Sequence, residues 1–445
     1  MANAGAAAAP LAQLDRAQVR EELSLLAILL PPKQIAAALK SIKKLLLNRT
    51  RQQNVVDAPK GSSEAGKSPG KLLLLSEIIS EKYMSEGESV ELLPEECRAV
   101  LAGEGCELVK HKMVLEYEHF TYEEALRKVL PSEVEVPGSF ETIGHVAHLN
   151  LREGHEHFRL VIAQVMIDKF PAIKTVVNKM GTITNTFRVF AMEVLADRLG
   201  GTLPRVAQPG DAALETSVRQ NGSIFSMNFG ELYWNSRLEA EHSRLVSTFT
   251  GKDEVWDMFA GIGPFAVPAA KSHFCRVYAN DLNPRSVHYL DENCRLNKVT
   301  DLVTTSCSCA REFLRGRVSA CGDTVAAAGG RVHCIMNLPQ DAPEFLDCFR
   351  GAFRPDVWKP QELPMVHLYA FAKSADPDEC TQDIARRAVA ALGCEIPGLT
   401  SHTVRDVAPR KLMMCLSFPL PPEAAFASIP AGDGVEQRDA KRAKA

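Results

Sequence analysis

Residues 254–281 read EVWDMFAGIGPFAVPAAKSHFCRVYAND, and no other stretch limits the fold as tightly. A β-branched and aromatic segment runs into Gly261 and Gly263 and then into an apolar, helix-forming run. Glycine suits both positions, because the backbone has to turn sharply and leave room for a ligand at the start of the helix. Twenty residues after Gly261, the segment RVYAN ends at Asp281. A carboxylate at the tip of the second strand is where an α/β nucleotide fold grips ribose hydroxyls. The pattern predicts a doubly wound α/β domain that begins near Gly251.

The glycines alone do not choose the ligand. The dinucleotide fingerprint G-x-G-x-x-G/A is formally met, with Ala266 in the third place. Asp257, just before the loop, and Pro264-Phe265, just after it, separate the two ligands. A pyrophosphate would be repelled by the Asp257 carboxylate, whereas the ammonium and sulfonium of S-adenosylmethionine would be attracted. The bland alternative is a glycine loop with no ligand. A third element, VHCIMNLP over 332–339, reads as a buried strand ending in Asn337-Leu338-Pro339. An amide at the carboxyl end of a central strand faces the ligand crevice and can donate and accept at once, which suits a flat base. A plain polar cap on the strand end is the alternative.

A chain of 445 residues is too long for one ordinary core, so two or three domains are expected. We divide it into a small N-terminal domain over 1–85 with a flexible loop at 59–71, a middle α+β domain over 108–250, the α/β domain over 251–420, and a disordered tail over 421–445. The acidic, patternless stretch 86–104 serves as a boundary. Ile35, Leu39, Ile42 and Leu46 mark one face of a helix, with Lys33, Lys40, Lys43 and Lys44 mostly off it. With Arg49 and Arg51 these lysines make either a solvated face or a surface for RNA. The run Leu72 to Leu75 predicts a short buried strand. Residues 161–167 and 175–177 predict helix and strand pieces, and the Ala/Gly-rich 316–330 a surface insertion.

Net charge of −4 neither advertises nor excludes a nucleic-acid partner, because binding depends on local patches. The apolar run Leu25 to Leu30 is far too short to span a bilayer, so no membrane partner is expected. Residues 1–10 have neither the basic nor the leucine-rich region of a secretory signal. The first twelve residues lack acids, as a mitochondrial transit peptide does, but they also lack arginine. Twelve cysteines with no C-x-x-C pair read as reduced thiols, and no metal site is expected.

Several motifs together resemble the archaeal and eukaryotic tRNA (guanine-N1-)-methyltransferases. They are IGHVAHLNLR (143–152), Phe187-Arg188, YWNSRLEAEH (233–242), DMFAGIGPF (257–265), NDLNP (280–284), Asn337-Leu338-Pro339 and VRDVAP (404–409). The likeness runs from about Leu108 to Pro419 in the family's order; the segment before Leu108 matches only loosely. It implies a C-terminal class I, Rossmann-like methyltransferase domain of α/β class, preceded by α+β RNA-binding domains. It also implies methyl transfer from S-adenosyl-L-methionine to N1 of guanosine 37 of tRNA.

N1 of guanine carries a proton at neutral pH, and the resemblance assigns its removal to Glu241. Charge then moves onto O6, which Arg188 would stabilise, while Asn337 would hold the base edge. His242, Asp257, Gly261, Gly263, Phe265, Asp281, Leu282, Cys309, Ala310 and Asn337 would line the cofactor pocket. Tyr233, Asn235 and Pro339 would meet the substrate, Tyr233 by offering a ring to an unstacked base. Read without the family, Glu241 is a surface helix residue, Arg188 an ion-pair partner and Tyr233 equally well a core residue. One departure stands out: Cys309 occupies a place where the family commonly carries an aspartate near adenine. The expected partner is tRNA, through anticodon stem-loop and body. A monomer is expected, acting in cytoplasm and nucleus, with the mitochondrial matrix a further destination open to the family.

Three rivals remain. A wybutosine-pathway enzyme would transfer an aminocarboxypropyl group from the same donor, but Pro339 together with Glu241 argues against it. A catalytically inactive tRNA-binding homologue is opposed by the joint presence of Glu241, Arg188 and Asn337. An NAD-dependent oxidoreductase is opposed by Asp257.

Overall fold

In the computed structural model, which describes residues 13–58, 70–152, 154–180, 187, 189–200, 203–320 and 329–428, the apolar run near the start becomes a strand. β1 (Glu21–Leu30) exposes Glu22 and Ser24 and buries Leu23 and Leu25 in alternation, then buries Leu25 to Ile28 continuously. A strand buried that deeply needs partners on both edges. With β2 (Val55–Asp57), β3 (Lys71–Leu74) and β4 (Glu107–Leu115) it forms a sheet of order β2-β3-β1-β4. β3 is the strand expected at the leucine run. β1 pairs antiparallel with β4 from Glu21 opposite Leu115 to Leu29 opposite Glu107.

This pairing corrects the boundary expected at residue 85. The acidic stretch 86–104 carries α3 (Glu95–Leu101) and lies inside the N-terminal body, because the second edge of β1 is filled only by residues beyond it. α1 (Ile35–Ile42), α2 (Glu77–Ser85) and α3 cover the sheet, placing Ile42, Leu46, Tyr83 and Cys97 against Leu26, Ile28, Leu30 and Leu73. Lys33, Lys40, Lys43 and Lys44 are exposed as expected. Arg49 and Arg51 are not free members of that face. Arg49 is paired with Glu77 and Glu21, and Arg51 donates to the Phe120 carbonyl.

Compactness divides the chain into two units: 1–140 with 149–178 and 195–204, and 141–148 with 179–194 and 205–445. The middle segment, expected as one body over 108–250, is therefore shared between them. It contributes α4 (Tyr122–Val129), β5 (Phe140–Ile143), β6 (Val146–Leu149), α5 (Arg159–Lys169), β7 (Thr175–Met180), β8 (Ala191–Asp197) and β9 (Arg205–Val206).

The second unit explains why the segment from about 205 stays with the α/β domain. β10 (Glu215–Gln220) and β11 (Ser223–Asn228) form a hairpin closed by Asn221 and Gly222, both at positive φ. α8 (Pro284–Leu296) holds the hairpin by side-chain amides that replace a neighbouring strand. Asn293 Oδ1 accepts from the Ser226 amide at 2.7 Å, and its Nδ2 donates to the carbonyls of Ser226 and Ile262, each at 3.2 Å. Asn297, just past the helix, accepts from the Ile224 amide at 3.0 Å and donates to its carbonyl at 2.7 Å. The chain leaving the hairpin then forms α6 (Glu239–Val246).

The large sheet contains β12 (Glu254–Asp257), β13 (Arg276–Asp281), β14 (Val303–Cys307), β15 (Val332–Met336), β16 (Met365–Ala372), β17 (Thr400–Ala408) and β18 (Lys411–Pro419), in the order β14-β13-β12-β15-β16-β18-β17. The first five strands are parallel, β18 runs antiparallel to them, and β17 pairs antiparallel with β18 and so runs in the direction of the first five. Strand order reverses at β12, with β13 on one side and β15 on the other, and a doubly wound sheet opens its ligand crevice there. α7 (Ala266–His273) and α9 (Ala310–Ala320) follow β12 and β14. Residues 316–320, expected in a surface insertion, complete α9, with Val318 buried. The rest of that insertion from 321 to 328, and residues 59–69 of the expected loop, lie outside the described residues. The tail is shorter than expected, because Pro422–Ala425 is a helical turn with Ala424 and Ala425 buried. Residues 429–445 lie outside the described residues. Among the described residues no helix is long and apolar enough to cross a membrane.

Asn293 ties three backbone groups from two elements to one helix. Asn293→Ala should cost about 2–4 kcal/mol, since it strands buried polar groups worth about 1–3 kcal/mol each. Urea unfolding monitored at the tryptophans measures the loss; an unchanged midpoint would mean that water replaces the amide.

Candidate functional site

At the switch point the chain turns through Gly261 at φ +55° and Gly263 at φ +95°, values that an L side chain rarely adopts. A Cβ on Gly263 would also stand 2.7 Å from Leu290 and 2.9 Å from Val267, whereas at Gly261 it would meet open space. The sequence thus needs glycine for packing at Gly263 and for the turn alone at Gly261. The Gly261 amide donates to Asp281 Oδ2 at 2.8 Å, and the Asn283 amide donates to Oδ1 at 2.8 Å. The carboxylate that ends the second strand thereby pins the loop that follows the first. Leu282 beside it is half exposed.

Asp257 lies wholly buried at the end of β12. Its Oδ1 accepts a long bond from the Phe259 amide at 3.4 Å, and its Oδ2 has no partner. Burial, against the pull of the Phe259 amide and helped by the nearby Asp281 carboxylate, raises this carboxyl to about 8. Burial also raises Asp281, against the pull of its backbone donors. Two carboxyl groups packed closely enough that one raises the other are an arrangement that a positively charged ligand relieves.

Other polar atoms around the crevice are also orphaned. His242, on α6, is buried with neither ring nitrogen partnered, and burial lowers it to about 3, so the ring is neutral. It meets Phe265 edge-on at 4.6 Å between centroids. Asn337 Oδ1 is shielded and unpartnered at the end of β15. The following turn is held when the Phe371 amide donates to the Pro339 carbonyl at 3.0 Å. On the far side, Asn280 Oδ1 accepts from the amide and hydroxyl of Ser308, fixing the turn that leads to Cys309 and Ala310. Cys309 is partly exposed and Ala310 buried at the start of α9. Unpartnered acceptors, a neutral imidazole, an apolar ring and an open glycine turn fit a ligand with a cationic end and a flat heterocycle.

Glu241 is not the surface residue that its sequence context alone suggests. Its Oε1 accepts from Arg244 Nη2 and from the Tyr369 hydroxyl, both at 2.7 Å. Its Oε2 accepts from Arg244 Nε at 2.7 Å and has His402 Nε2 3.3 Å away. The hydrogen bond to Glu241 raises the Arg244 guanidinium above its ordinary value, so it stays a cation. Burial pushes the Tyr369 hydroxyl well above the ordinary tyrosine value. The shell continues inward: Cys415 Sγ lies 3.8 Å from Ser417 Oγ, which is 2.8 Å from His367 Nδ1, and His367 Nε2 lies 3.0 Å from His333 Nδ1. Tyr369, Arg244, His402 and Cys415 escaped sequence reasoning, for they come from four elements and share no spacing.

Tyr233 is exposed rather than a core residue, and its hydroxyl accepts from Asn235 Nδ2 at 3.3 Å. Asn235 Oδ1 caps the turn before α6 by accepting from the Arg237 amide at 3.1 Å. Arg188 lies outside the described residues.

The raised Asp257 carboxyl has a stability consequence. Between the unfolded aspartate value of about 3.9 and the folded value of about 8, the unfolded chain has released this proton and the folded chain keeps it. Stability therefore falls as pH rises through that window and levels off above it. Asp257→Asn should remove the loss, so the melting temperatures of variant and wild type, measured without ligand, should diverge from pH 5 to pH 8. Each tenfold difference in ionisation constant is worth about 1.4 kcal/mol. Parallel melting curves across that range would contradict a neutral Asp257.

Comparison with known proteins agrees with the geometry. Residues 216–396 match the TRM5/TYW2 methyltransferase domain, and residues 122–200 the TYW2 N-terminal domain. A curated tRNA (guanine(37)-N(1))-methyltransferase of Phytophthora infestans is 41% identical over 433 residues, covering 97% of each chain. Those of Danio rerio and Homo sapiens are 40% and 35% identical, covering 92% and 93% of this chain and 82% and 77% of theirs. Among solved structures, aTrm5 in complex with tRNALeu matches with a TM-score of 0.58 at 21% identity, over 89% of this chain and 99% of that one. Trm5b from Pyrococcus abyssi matches with 0.52 at 22%, over 88% and 98%. Such identities bear on the fold alone; kinship rests on the curated relatives. The chain belongs to the TRM5/TYW2 family of S-adenosylmethionine-dependent methyltransferases, together with its curated tRNA (guanine(37)-N(1))-methyltransferases.

Proposed function

We propose that this chain methylates N1 of guanosine 37 in tRNA, with Glu241 removing the N1 proton and Arg188 stabilising the charge that develops on O6. The observation that carries the reading is the placement of Glu241. Through Tyr369, on the strand next to β15, its carboxylate lies at the end of the sheet that also holds Asn337 and the orphaned crevice atoms. The curated relatives named for this reaction extend along nearly the whole chain.

When bound, S-adenosylmethionine supplies a methyl group on a cationic sulfur. Asp257 and Asp281 would complement its positive end and ribose, Gly261 and Gly263 would leave it room, and His242, Phe265, Leu282, Cys309 and Ala310 would enclose the rest. Asn337 holds the guanine edge, Pro339 shapes the turn beneath it, and Tyr233, anchored by Asn235, offers the exposed ring on which the base stacks. Glu241 takes the N1 proton on Oε2, because Oε1 already accepts two hydrogen bonds from Arg244 and Tyr369. Arg244 then remains a cation beside the neutral acid.

Glu241→Gln keeps the shape and removes the proton acceptor, so it should lower the single-turnover rate about 10²–10⁴-fold, the usual worth of a general base. Donor and tRNA affinities should change little. Arg188→Ala should slow the same step without altering its pH dependence. A wild-type rate and pH profile in Glu241→Gln would remove Glu241 from the chemistry. The match of residues 122–200 to the TYW2 N-terminal domain favours one second reading, aminocarboxypropyl transfer from the same donor. Mass analysis of the digested product distinguishes the two groups.

The exposed lysines of α1 and its flanks, Lys33, Lys40, Lys43 and Lys44, support a second contact with tRNA away from the chemistry. Truncation is the wrong probe, because it would strip β1 from β4. Replacing the four lysines by glutamine should weaken tRNA binding and flatten its salt dependence, since each lost phosphate contact removes about 0.9 from the log–log slope on duplex RNA, taking the B-form DNA value as a guide. Donor binding should be unaffected. An unchanged slope would make this face merely solvated.

A further inference from the structure

Glu241 can act once as a base, but each turnover has to return its proton to solvent, and the carboxylate is buried. Its neighbours differ sharply in fitness for that task. Arg244 stays cationic and cannot accept a proton. Tyr369 is buried and already donates its hydroxyl proton to Oε1. The Cys415 thiol, beyond Tyr369, is pushed up to about 11 by burial and the Glu241 charge, and it too is buried. Among the described neighbours, His402 joins both conditions. Its Nε2 lies 3.3 Å from Oε2, the oxygen with only one hydrogen bond, and 45% of its side chain is exposed, against 4% for Glu241. It belongs to β17, the edge strand of the sheet, where the residues on either side, Ser401 and Thr403, are also exposed.

We propose that His402 is the proton exit of this site, carrying to water the proton that Glu241 takes from the substrate. The inference rests on the reading of Glu241 as the base. The N1–H bond breaks and its proton goes to Glu241 Oε2. The N1 electron pair forms the new N–CH3 bond as the S–CH3 bond breaks, and the sulfonium leaves as a neutral thioether. Glu241 next passes the proton to the unprotonated Nε2 of His402, the ring releases its Nδ1 proton to water, and exchange with water then returns the remaining hydrogen from Nε2 to Nδ1, restoring the starting tautomer. The sum is methylated guanine, thioether and one proton in solvent, with both side chains returned to their starting charge. This requires the ring to present an unprotonated Nε2 at that moment, which the neutral tautomer bearing hydrogen on Nδ1 does.

The test uses the full-length enzyme with S-adenosylmethionine and a tRNA transcript bearing G37, in single and multiple turnover. His402→Ala and His402→Gln should each slow multiple turnover by about ten- to a hundredfold, toward the low end of proton-transfer effects, and leave the first turnover nearly unchanged. Donor and tRNA dissociation constants should stay within about twofold of wild type. Because His402 sits at an exposed edge, added imidazole should restore much of the rate to His402→Ala and none to Glu241→Gln. The solvent deuterium isotope effect should rise in His402→Ala and return to the wild-type value with imidazole. Wild-type multiple-turnover rates and isotope effects in both His402 variants would overturn the relay, and would leave Glu241 as base if Glu241→Gln were still slow. A slow His402→Ala that imidazole does not restore would likewise overturn it, assigning His402 to holding the carboxylate in place. If Glu241→Gln itself turned over normally, the underlying reading would fail first.

Discussion

Asp281 holds the crevice together through a single short contact: its carboxylate accepts the Gly261 amide at 2.8 Å. That bond joins the end of the second strand to the turn after the first, so the glycine loop cannot relax into a wider path. The consequence is a second carboxyl, Asp257, buried beside the first with one oxygen unsatisfied. An isolated buried carboxylate costs several kcal/mol and prefers to hold its proton. Asp257 therefore keeps its proton until about pH 8, and a nearby cation would favour its release.

The hairpin β10–β11 serves the same crevice from outside the sheet. Asn293 bonds both to Ser226 in the hairpin and to the Ile262 carbonyl between the two glycines, so the loop and hairpin share one anchor. From that anchor the chain runs through Tyr233 and Asn235 into the turn before α6, which the Asn235 side chain caps. Glu231 reinforces the path, accepting from Arg285 Nε at 2.8 Å while its carbonyl accepts from Asn283 Nδ2 at 3.0 Å. The residues proposed to meet the substrate thus hang from the helix that also buttresses the cofactor loop.

Much of this was legible in sequence where the cause is local. The strand, glycine turn and helix of residues 254–273 follow from side-chain type and backbone freedom within a few positions. The Leu72 to Leu75 strand and the lysine-flanked helix α1 follow from periodicity. Features that depend on distant partners were not legible. Nothing near residue 100 indicates that β4 completes the N-terminal sheet, since the demand arises at β1, some eighty residues earlier. Arg49 and Arg51 look like members of a basic face until Glu77, Glu21 and the Phe120 carbonyl claim them. The donors around Glu241 come from α6, β16 and β17, so sequence identified the carboxylate by resemblance and gave no hint of its company.

Glu241 and His242 show how one short helix supports two unlike environments. Successive residues on a helix point about 100° apart, a consequence of 3.6 residues per turn. Glu241 turns toward β16 and β17, where Arg244, Tyr369 and His402 surround it. His242 turns to Phe265 in the cofactor loop and finds no hydrogen-bond partner, and burial keeps its ring neutral. The Phe265 ring lies 4.6 Å from His242 and 5.7 Å from Tyr369, so one aromatic wedge separates the two pockets and touches both. A ligand that shifts Phe265 would press on Tyr369 and through it on the donor shell of Glu241. The two pockets thus meet through packing against one ring.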